Sequence, residues 1–274
     1  MSNIHLNKKP FIVTIASTKG GSAKSTNAAN IGSFCAEHGL LKVLLIDTDT
    51  QPTLSSYFSL SYTAPGGIHE FLTYQDIDPS HIISKTEIPN LDLIQSNDPT
   101  NNVSQMLRNA PDGAIRFRCL LNKIQGYDLI IVDTRGTRDI TVDMSVLAAD
   151  LLFCPILPHI LSAKEFIRGT LGMYQELETF TSLGLKLPPL KAVANCVDRT
   201  NDVHFVLDHL KNLFTQQLDD EKILLDFTIP NRVAYREAAT YSLPVYKHSH
   251  KEYVVIKKLC ELLFPQFISY FNNK

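Results

Sequence analysis

Short apolar runs that alternate with amphipathic stretches of helical length constrain the fold of this chain more than any other feature. The runs are apolar almost throughout, rather than at every second position, which is typical of strands buried on both faces of a sheet. The predicted strands span residues 11–16, 42–46, 91–94, 128–132, 151–156, 191–194 and 223–227. The predicted helices between them span residues 25–37, 114–124, 163–183 and 202–217. This alternation predicts an α/β fold with a doubly wound, mostly parallel sheet flanked by helices.

The chain has 274 residues, which is enough for one large α/β domain, and no stretch has the composition of an interdomain linker. We therefore expect one domain over residues 1–274, with an N-terminal extension at residues 1–10 and a C-terminal helix and tail at residues 248–274. No run approaches the roughly 20 apolar residues that span a bilayer, and the N-terminus lacks the apolar stretch of a signal peptide. The five cysteines are widely spaced, which favours buried cytosolic thiols over a disulfide framework or a metal site.

The segment TKGGSAKST, residues 18–26, has the character of a phosphate-binding loop but departs from the standard pattern G-x-x-x-x-G-K-[ST]. It joins a predicted buried strand to a helix that starts near Lys24. The backbone N–H groups of such a loop, together with the helix N-terminus, can bind an anion. Gly20 and Gly21 allow the backbone to approach a phosphate closely, Lys24 can neutralise phosphate oxygens, and the Ser25 hydroxyl can bind Mg²⁺.

Thr18 and Ala23 stand at the two positions where the standard loop has glycine. A methyl group at Ala23 is tolerated only where φ is not strictly positive, because the left-handed region is costly for residues other than glycine. We therefore expect Ala23 to avoid positive φ, in a loop that is slightly remodelled and still functional.

Acidic residues follow two other predicted strands. LLIDTDTQP places Asp47 and Asp49 two residues apart, and LIIVDTRG ends an apolar strand in Asp133. Because ligands bind at the carboxyl ends of parallel strands, these side chains are expected at one edge with the phosphate loop. A single strand-terminal Asp is often only a helix cap. Three acids opposite a Lys-Ser loop indicate a nucleotide site with Mg²⁺, in which Asp133 is the Walker B acid.

With these motifs the chain resembles the ParA/Soj/MinD group of deviant Walker A ATPases, and in particular the small Soj-type ParA partition proteins. That family's loop reads K-G-G-x-G-K-[ST]-T, and residues 19–26 match it except at Ala23. The resemblance continues in VLLIDTDTQPTLSSYF, KTEIPNLDLIQSN, YDLIIVDTRG, NCVDRTN and IPNRVAYREAATYSLPV, in the family's order and along nearly the whole chain. It implies the deviant Walker A form of the P-loop NTPase fold, with ATP and Mg²⁺ as ligands.

The resemblance also implies roles for the matched residues. Lys19 is the family's additional lysine, which reaches the partner's phosphates across an ATP sandwich dimer, while Lys24 binds phosphate and Asp49 positions the attacking water. The implied nucleotide contacts are Lys19, Gly20, Gly21, Ser22, Ala23, Lys24, Ser25, Thr26, Asn195 and Pro230. Asn195 is assigned to adenine, and the loop at Pro230 to covering the base. The implied Mg²⁺ ligands are Ser25, Asp47 and Asp133.

Arg135 stands where the family often has proline. Two interpretations stay open: a contact with phosphate, or an ion pair with an acid on the surface.

The implied function is partition of a plasmid, chromosome or integrative element in a bacterial cytoplasm, in association with the nucleoid. The resemblance implies an ATP-dependent homodimer that binds double-stranded DNA nonspecifically and hydrolyses ATP slowly until a ParB-like partner stimulates it. A net charge of −2 argues against DNA binding through bulk charge but allows a local basic patch. The expected DNA contacts are Arg199, Arg232, Arg236, Lys247 and Lys251, with Lys257, Lys258, His248 and His250 as further candidates. The alternative is an ordinary solvated face.

Other functions are compatible with such a nucleotide site. A MinD-like ATPase would contact membrane through a basic amphipathic C-terminal helix. Here Pro265 interrupts the tail and Lys274 is its only basic residue, so we expect Tyr253, Ile256, Leu259 and Leu263 to pack the last helix onto the sheet instead. A conjugative-transfer ATPase would share the same core, whereas a small-molecule synthetase would need an acceptor pocket. Few residues precede the first strand, so we expect no helix-turn-helix domain like that of the larger ParA proteins.

Overall fold

The computed structural model describes residues 9–74 and 76–272. Residues 1–8 of the expected N-terminal extension and the last two residues of the expected tail, including Lys274, lie outside the described residues. Within these two ranges nine strands form one sheet: β1 (Phe11–Ile15), β2 (Val43–Asp47), β3 (Leu60–Tyr62), β4 (Ser84–Thr86), β5 (Leu91–Ile94), β6 (Leu129–Asp133), β7 (Leu151–Ile156), β8 (Leu190–Val197) and β9 (Lys222–Pro230).

Helices cover both faces of this sheet. They are α1 (Lys24–Glu37), α2 (Ile68–Thr73), α3 (Asn102–Asn109), α4 (Gly113–Leu121), α5 (Ile140–Ala148), α6 (Ile160–Glu165), α7 (Gly172–Leu177), α8 (Asn201–Gln216), α9 (Val233–Thr240), α10 (Val245–His248), α11 (His250–Leu263) and α12 (Ile268–Phe271). Within the described residues no helix is long and apolar enough to cross a membrane.

The strand order is β3-β4-β5-β2-β6-β1-β7-β8-β9, and the predicted α/β fold with a mostly parallel sheet is confirmed. Strands β5, β2, β6, β1, β7, β8 and β9 run parallel to one another, while β4 is antiparallel to both β3 and β5. All seven predicted strands are present. The two that the sequence did not indicate, β3 and β4, have three residues each and do not form the continuous apolar runs that mark the central strands.

The phosphate loop lies near the middle of the sheet, because β1 pairs with β6 on one side and β7 on the other. Every residue of β2, β6 and β7 is buried. Helix α1 is buried along most of its length, including Phe34, which has no exposed surface. This rigid centre fixes the strand ends from which the loops at residues 16–23, 48–53 and 134–137 emerge.

The predicted helix over residues 163–183 is wrong as a single regular helix. It begins at Ile160 and consists of α6, a π-helical segment at Phe166–Leu171, α7 and a 3₁₀ segment at Glu178–Leu183. The irregular turns coincide with a tertiary contact that the sequence pattern does not contain: at Gly169 the segment meets Thr18 of the phosphate loop, where a Cβ would lie 2.1 Å from Thr18 Oγ1. Wide turns of this kind are common where a helix contacts a functional site.

The C-terminal helix packs as expected. Ile256 and Leu259 of α11 have no exposed surface, Leu263 is also buried, and Tyr253 packs against the same core cluster. Beyond Pro265 the chain continues into α12, where Phe271 is buried as well. Most of the apolar side chains that could have suggested a membrane contact therefore belong to the core.

Candidate nucleotide-binding site

The phosphate loop links β1 to α1 and contains two left-handed residues. Gly21 has φ +76°, and Ala23, immediately before α1, has φ +60° and ψ +36°. The expectation that Ala23 avoids positive φ is therefore wrong. The left-handed residue lets the chain turn directly into α1, where the carbonyl of Ala23 accepts a hydrogen bond from the Asn27 N–H at 3.0 Å. For an alanine this conformation costs about 1–2 kcal/mol relative to a right-handed one.

Two glycines outside the loop allow neighbouring segments to approach it. A Cβ on Gly136 would lie 2.7 Å from Gly20 Cα, and a Cβ on Gly169 would overlap Thr18. The Thr18 hydroxyl also lies 3.2 Å from that of Thr170, which is fully buried. Neither Gly136 nor Gly169 was identified from the sequence as a site residue. The glycine in LIIVDTRG was visible there, but nothing in the sequence indicated what it would contact.

The loop borders a cavity of about 390 Å³ at the carboxyl ends of the strands. The other walls are the segment after β2, represented by Asp49, Thr50, Gln51 and Thr53, and the segment after β6, residues 134–137. The predicted phosphate-loop residues from Gly20 to Thr26 all line this cavity, together with Asp49. The structure thus brings the loop and one of the three predicted acids to a shared space.

Asp133 ends β6 and is fully buried near Lys24 and Ser25. No described residue forms a hydrogen bond with either of its carboxylate oxygens. The Ser25 hydroxyl is close enough to favour the ionised form without meeting normal hydrogen-bond geometry. Burial, and then the charge of Asp47, raise the pKa of Asp133 well above its usual range. A buried carboxylate that accepts no hydrogen bond is costly in free energy, so this position fits a cation or an ordered water bound to one.

Lys24 is the cation next to this acid and is itself 7% exposed. Burial lowers the pKa of Lys24, although the charges of Asp133 and Asp49 oppose the shift. An anion entering the cavity would favour the charged form of this lysine, because a nearby opposite charge stabilises an ammonium group.

Asp47 and Asp49 have different surroundings. Asp47 is fully buried; its Oδ2 accepts hydrogen bonds from the N–H and hydroxyl of Ser55 at 2.8 and 2.7 Å, and its Oδ1 accepts the Asp49 N–H. Burial raises the pKa of Asp47 to about 6, although these hydrogen bonds favour the ionised form. Asp49 borders the cavity, and its carbonyl accepts a hydrogen bond from the Ser96 hydroxyl. The observed contacts of Asp47 therefore hold the loop that carries Asp49.

The Lys19 side chain forms a hydrogen bond within its own chain. Its Nζ donates a hydrogen bond to Ser162 Oγ of α6 at 2.9 Å. Ser162 is buried, and its neighbour Leu161 is 68% exposed. The contact of Lys19 with a partner's phosphates stays a prediction, and it would require that the bond to Ser162 open.

Asn195 and Pro230 lie within strands rather than in the loops assigned to them. Asn195 is buried in β8, and its amide donates to the Ser22 carbonyl at 2.9 Å, which ties β8 to the phosphate loop. The next residue, Cys196, has φ +56° where the pairing of β8 with β9 is irregular. Pro230 is the last residue of β9. No contact in the structure tests their predicted roles at the base, and these remain predictions.

Arg135 combines parts of both interpretations that the sequence left open. It lines the cavity, and its Nη1 donates to Asp139 Oδ2 at 2.6 Å and to Asn101 Oδ1 at 3.2 Å. The acid is not on the surface, because only 6% of the Asp139 side chain is exposed.

The predicted DNA contacts fall into two groups. Arg199, Arg236 and Lys251 are exposed, and none forms an ion pair with another described residue. In contrast, Arg232 pairs with the fully buried Glu252, and Lys247 pairs with Glu37 at 2.6 Å. Three further candidates are also paired: His248 with Glu237, and both Lys257 and Lys258 with Glu261.

Comparison with known proteins places these features in a wider group. The chain matches the AAA domain family (AAA_31) over residues 11–180. It is 26% identical over 234 residues to the virulence plasmid ParA family protein pGP5-D of Chlamydia psittaci, with 85% of this chain and 87% of that protein covered. It is 24% identical over 252 residues to the chromosome partitioning protein ParA of Caulobacter vibrioides, with 88% of each chain covered.

Solved structures share the fold. A complex of McdA from Cyanothece with ATP has a TM-score of 0.79 at 20% identity and covers 94% of this chain and 98% of that one. Cobyrinic acid a,c-diamide synthase from Mycobacterium smegmatis, with bound ADP and magnesium, has a TM-score of 0.67 at 25% identity and covers 84% and 93%. Similar folds therefore include both a protein solved with ATP and a synthase.

Proposed function

Because this chain belongs to the AAA domain family (AAA_31) and to its ParA group, we propose that it is an ATP-dependent partition ATPase. In this proposal it binds ATP with Mg²⁺, forms an ATP sandwich homodimer, and binds DNA nonspecifically at the bacterial nucleoid. A ParB-like partner would then stimulate a slow hydrolysis. The observation that carries the proposal is the buried carboxylate of Asp133, which lies beside Lys24 and Ser25 and accepts no hydrogen bond from a described residue.

The residues present fit a magnesium nucleotide. Within the described parts of the chain, no three His, Cys, Asp or Glu side chains converge as a complete metal centre. We propose that Ser25 and Asp133 hold Mg²⁺ together with phosphate oxygens, with Asp47 supporting the site. Bound Mg²⁺ would neutralise charge that develops on the phosphates.

The chain's own residues would perform the remaining steps. Lys24 and the backbone N–H groups of the phosphate loop bind the phosphates, and Asp49 orients the attacking water. Asp49 is well placed for this, since it borders the cavity while Asp47 and Ser96 hold its segment. None of these groups is a strong general base, and this supports a slow basal rate of ATP hydrolysis.

Nucleotide binding and sizing with light scattering test this proposal. Asp49→Ala should bind ATP without hydrolysing it and run as a dimer with ATP and Mg²⁺. Lys19→Ala should bind ATP but neither dimerise nor hydrolyse it, while Lys24→Ala should lose phosphate binding. Lys42→Ala is the control, because this exposed lysine precedes β2 at the opposite end of the strand.

The outcomes separate the candidate functions. Asp49→Ala that stays monomeric with ATP, well above cellular concentrations, would contradict the sandwich dimer. Fast unstimulated turnover that depends on a small metabolite would favour a synthetase, to which the likeness to cobyrinic acid a,c-diamide synthase is relevant.

A further inference from the structure

Arg135 borders the nucleotide cavity, yet the proposed function gives it no role. It follows β6 by two residues, and its neighbour Gly136 packs against the backbone of Gly20. The segment that carries Arg135 is therefore in contact with the phosphate loop near Lys19 and Gly20. Any anion bound in this cavity lies in a space that Arg135 helps to enclose.

Most of the donor capacity of this guanidinium is unused. Its hydrogen bonds to Asp139 and to Asn101 are both made by Nη1. Among the described residues neither Nε nor Nη2 of Arg135 has a hydrogen-bond partner, although a guanidinium has five N–H donors. Its side chain is only 22% exposed, so solvent access to these donors is limited.

Asp139 holds Arg135 from a fixed position. Its Oδ1 caps the N-terminus of α5 by accepting the Thr141 N–H at 3.0 Å, while its Oδ2 accepts the Ser104 hydroxyl at 2.7 Å as well as Arg135. Burial acts to raise the pKa of Asp139, but the hydrogen bonds from Thr141, Ser104 and Arg135 outweigh it and keep the pKa below its usual value. The ionised Asp139 fixes the arginine and neutralises part of its charge.

We propose that Arg135 binds the terminal phosphate of ATP in cis and that Asp139 restrains it. The inference rests on the proposed function, since it needs ATP in this cavity. An arginine suits the task because its planar fork forms short, charge-assisted hydrogen bonds with phosphate oxygens. In phosphoryl transfer such a cation stabilises charge on the transferred group, whether it comes from the same chain or from a partner.

The test compares the dissociation constants of ADP and of the ATP analogue AMPPNP, measured by calorimetry with Mg²⁺. Arg135→Ala should weaken AMPPNP about tenfold or more, since a hydrogen bond to a charged group is removed, and change ADP by less than about twofold. Arg138→Ala is the matched control. Arg138 lies in the same loop and is also ion-paired, with Asp143 and Glu176, but it does not line the cavity. This control should leave the ratio of the ADP and AMPPNP dissociation constants unchanged.

A second variant changes affinity in the opposite direction. Asp139→Asn keeps a good helix cap, because Asn and Asp serve equally at that position, but it removes the charge that restrains Arg135. AMPPNP should then bind several-fold more tightly while ADP is unaffected. If Arg135 only braces α3 and α5 through Asp139, both variants would lower stability and neither would change the ratio, and that result would overturn the inference.

Two further variants keep the result interpretable. Arg135→Lys retains the charge without the guanidinium group and should keep part of the preference for AMPPNP over ADP. This variant tests the role of Arg135 if Arg135→Ala does not fold. Lys24→Ala should abolish binding of both nucleotides. If the unmodified protein binds neither nucleotide, the proposed function fails. If it binds both and Arg135→Ala leaves their ratio unchanged, only the role of Arg135 fails.

Discussion

Ala23 shows how a single methyl group affects the proposed active site. The residue is left-handed at φ +60°, so Ala23→Gly should relieve about 1–2 kcal/mol of strain. Glycine also raises the conformational entropy of the unfolded chain, and this offsets about 0.4–1 kcal/mol of the gain. We therefore expect a gain in the free energy of unfolding of up to about 1.6 kcal/mol, measured by urea titration, with nucleotide affinity changed by no more than about 1–2 kcal/mol.

Ala28→Gly is the control for this change. Ala28 lies inside α1, where φ is negative, so the same substitution should destabilise the protein by about 1 kcal/mol or more. Equal losses in the two variants would show that Ala23 is not strained.

Asp133 is expected to lower the stability of the protein while it serves nucleotide binding. Without Mg²⁺ and nucleotide, Asp133→Asn should raise the free energy of unfolding at pH 8 by about 1–3 kcal/mol, because it removes a fully buried charge that accepts no hydrogen bond from a described residue and whose burial outweighs the attraction of Lys24. Asp47→Asn should bring no such gain, since the oxygens of Asp47 accept three hydrogen bonds from Ser55 and Asp49.

The pH dependence gives the sign of the effect at Asp133. Its pKa in the folded protein lies well above the ordinary value of 3.8, so above about pH 4 the folded form binds more protons than the unfolded form. Stability from this group is full at lower pH and is lost as pH rises through the folded pKa. The difference in the free energy of unfolding between Asp133→Asn and the unmodified protein should therefore widen from pH 5 to pH 8. A gap that narrows over this range would contradict the assignment.

At the scale of elements, the π-helical segment Phe166–Leu171 supports the phosphate loop. Gly169→Ala should displace Thr18 and weaken ATP binding about tenfold, because overpacking of this kind costs about 1–3 kcal/mol. Gly172→Ala, one turn along, meets no atom within 4 Å of the added Cβ and should stabilise the helix by about 1 kcal/mol. Calorimetry with ATP and Mg²⁺ measures the first effect, and thermal unfolding the second. Equal ATP affinities in the two variants would refute the supporting role.

At the scale of the whole molecule, the exposed and unpaired cations Arg199, Arg236 and Lys251 should determine DNA binding. Reversing Arg199 or Arg236 to Glu should lower the affinity of the ATP-bound protein for all duplex sequences alike, with ATP binding unchanged. The slope of log affinity against log salt should fall by roughly 0.9 for each DNA phosphate that the variant no longer neutralises. Fluorescence anisotropy at several salt concentrations measures this, with Lys42→Glu as a control that should leave the slope unchanged.

A membrane-positioning function would give another result in the same protein. Phe267 and Phe271 belong to the core, so truncating the tail would disturb the fold, whereas Ile268 and Tyr270 are 37% and 45% exposed. If the ATP-bound protein ignores DNA but floats with anionic liposomes, and Ile268→Asp with Tyr270→Asp abolishes flotation, then the DNA proposal is wrong.

The sequence by itself determined which segments form the seven parallel strands, where several of the helices lie along the chain, and which polar residues follow the strand ends. These follow from local rules: buried parallel strands are continuously apolar, and polar residues at their carboxyl ends meet at one edge. The phosphate loop, Asp49 and Asp133 could therefore be assigned to one site from the order of residues alone. The short antiparallel strands β3 and β4 carry no such pattern, so the sequence did not indicate them.

Only the tertiary structure decided how equivalent residue types differ in role. Asp47 and Asp133 end neighbouring strands. Ser55 and Asp49 donate hydrogen bonds to the Asp47 carboxylate, whereas no described residue donates one to the Asp133 carboxylate. Two contacts likewise join segments that are distant in sequence: Gly169 meets Thr18, and the Asn195 amide donates a hydrogen bond to the Ser22 carbonyl. The left-handed conformation of Ala23 is also visible only in the structure. Side-chain environment is set by such neighbours, and a local pattern of residue types does not contain them.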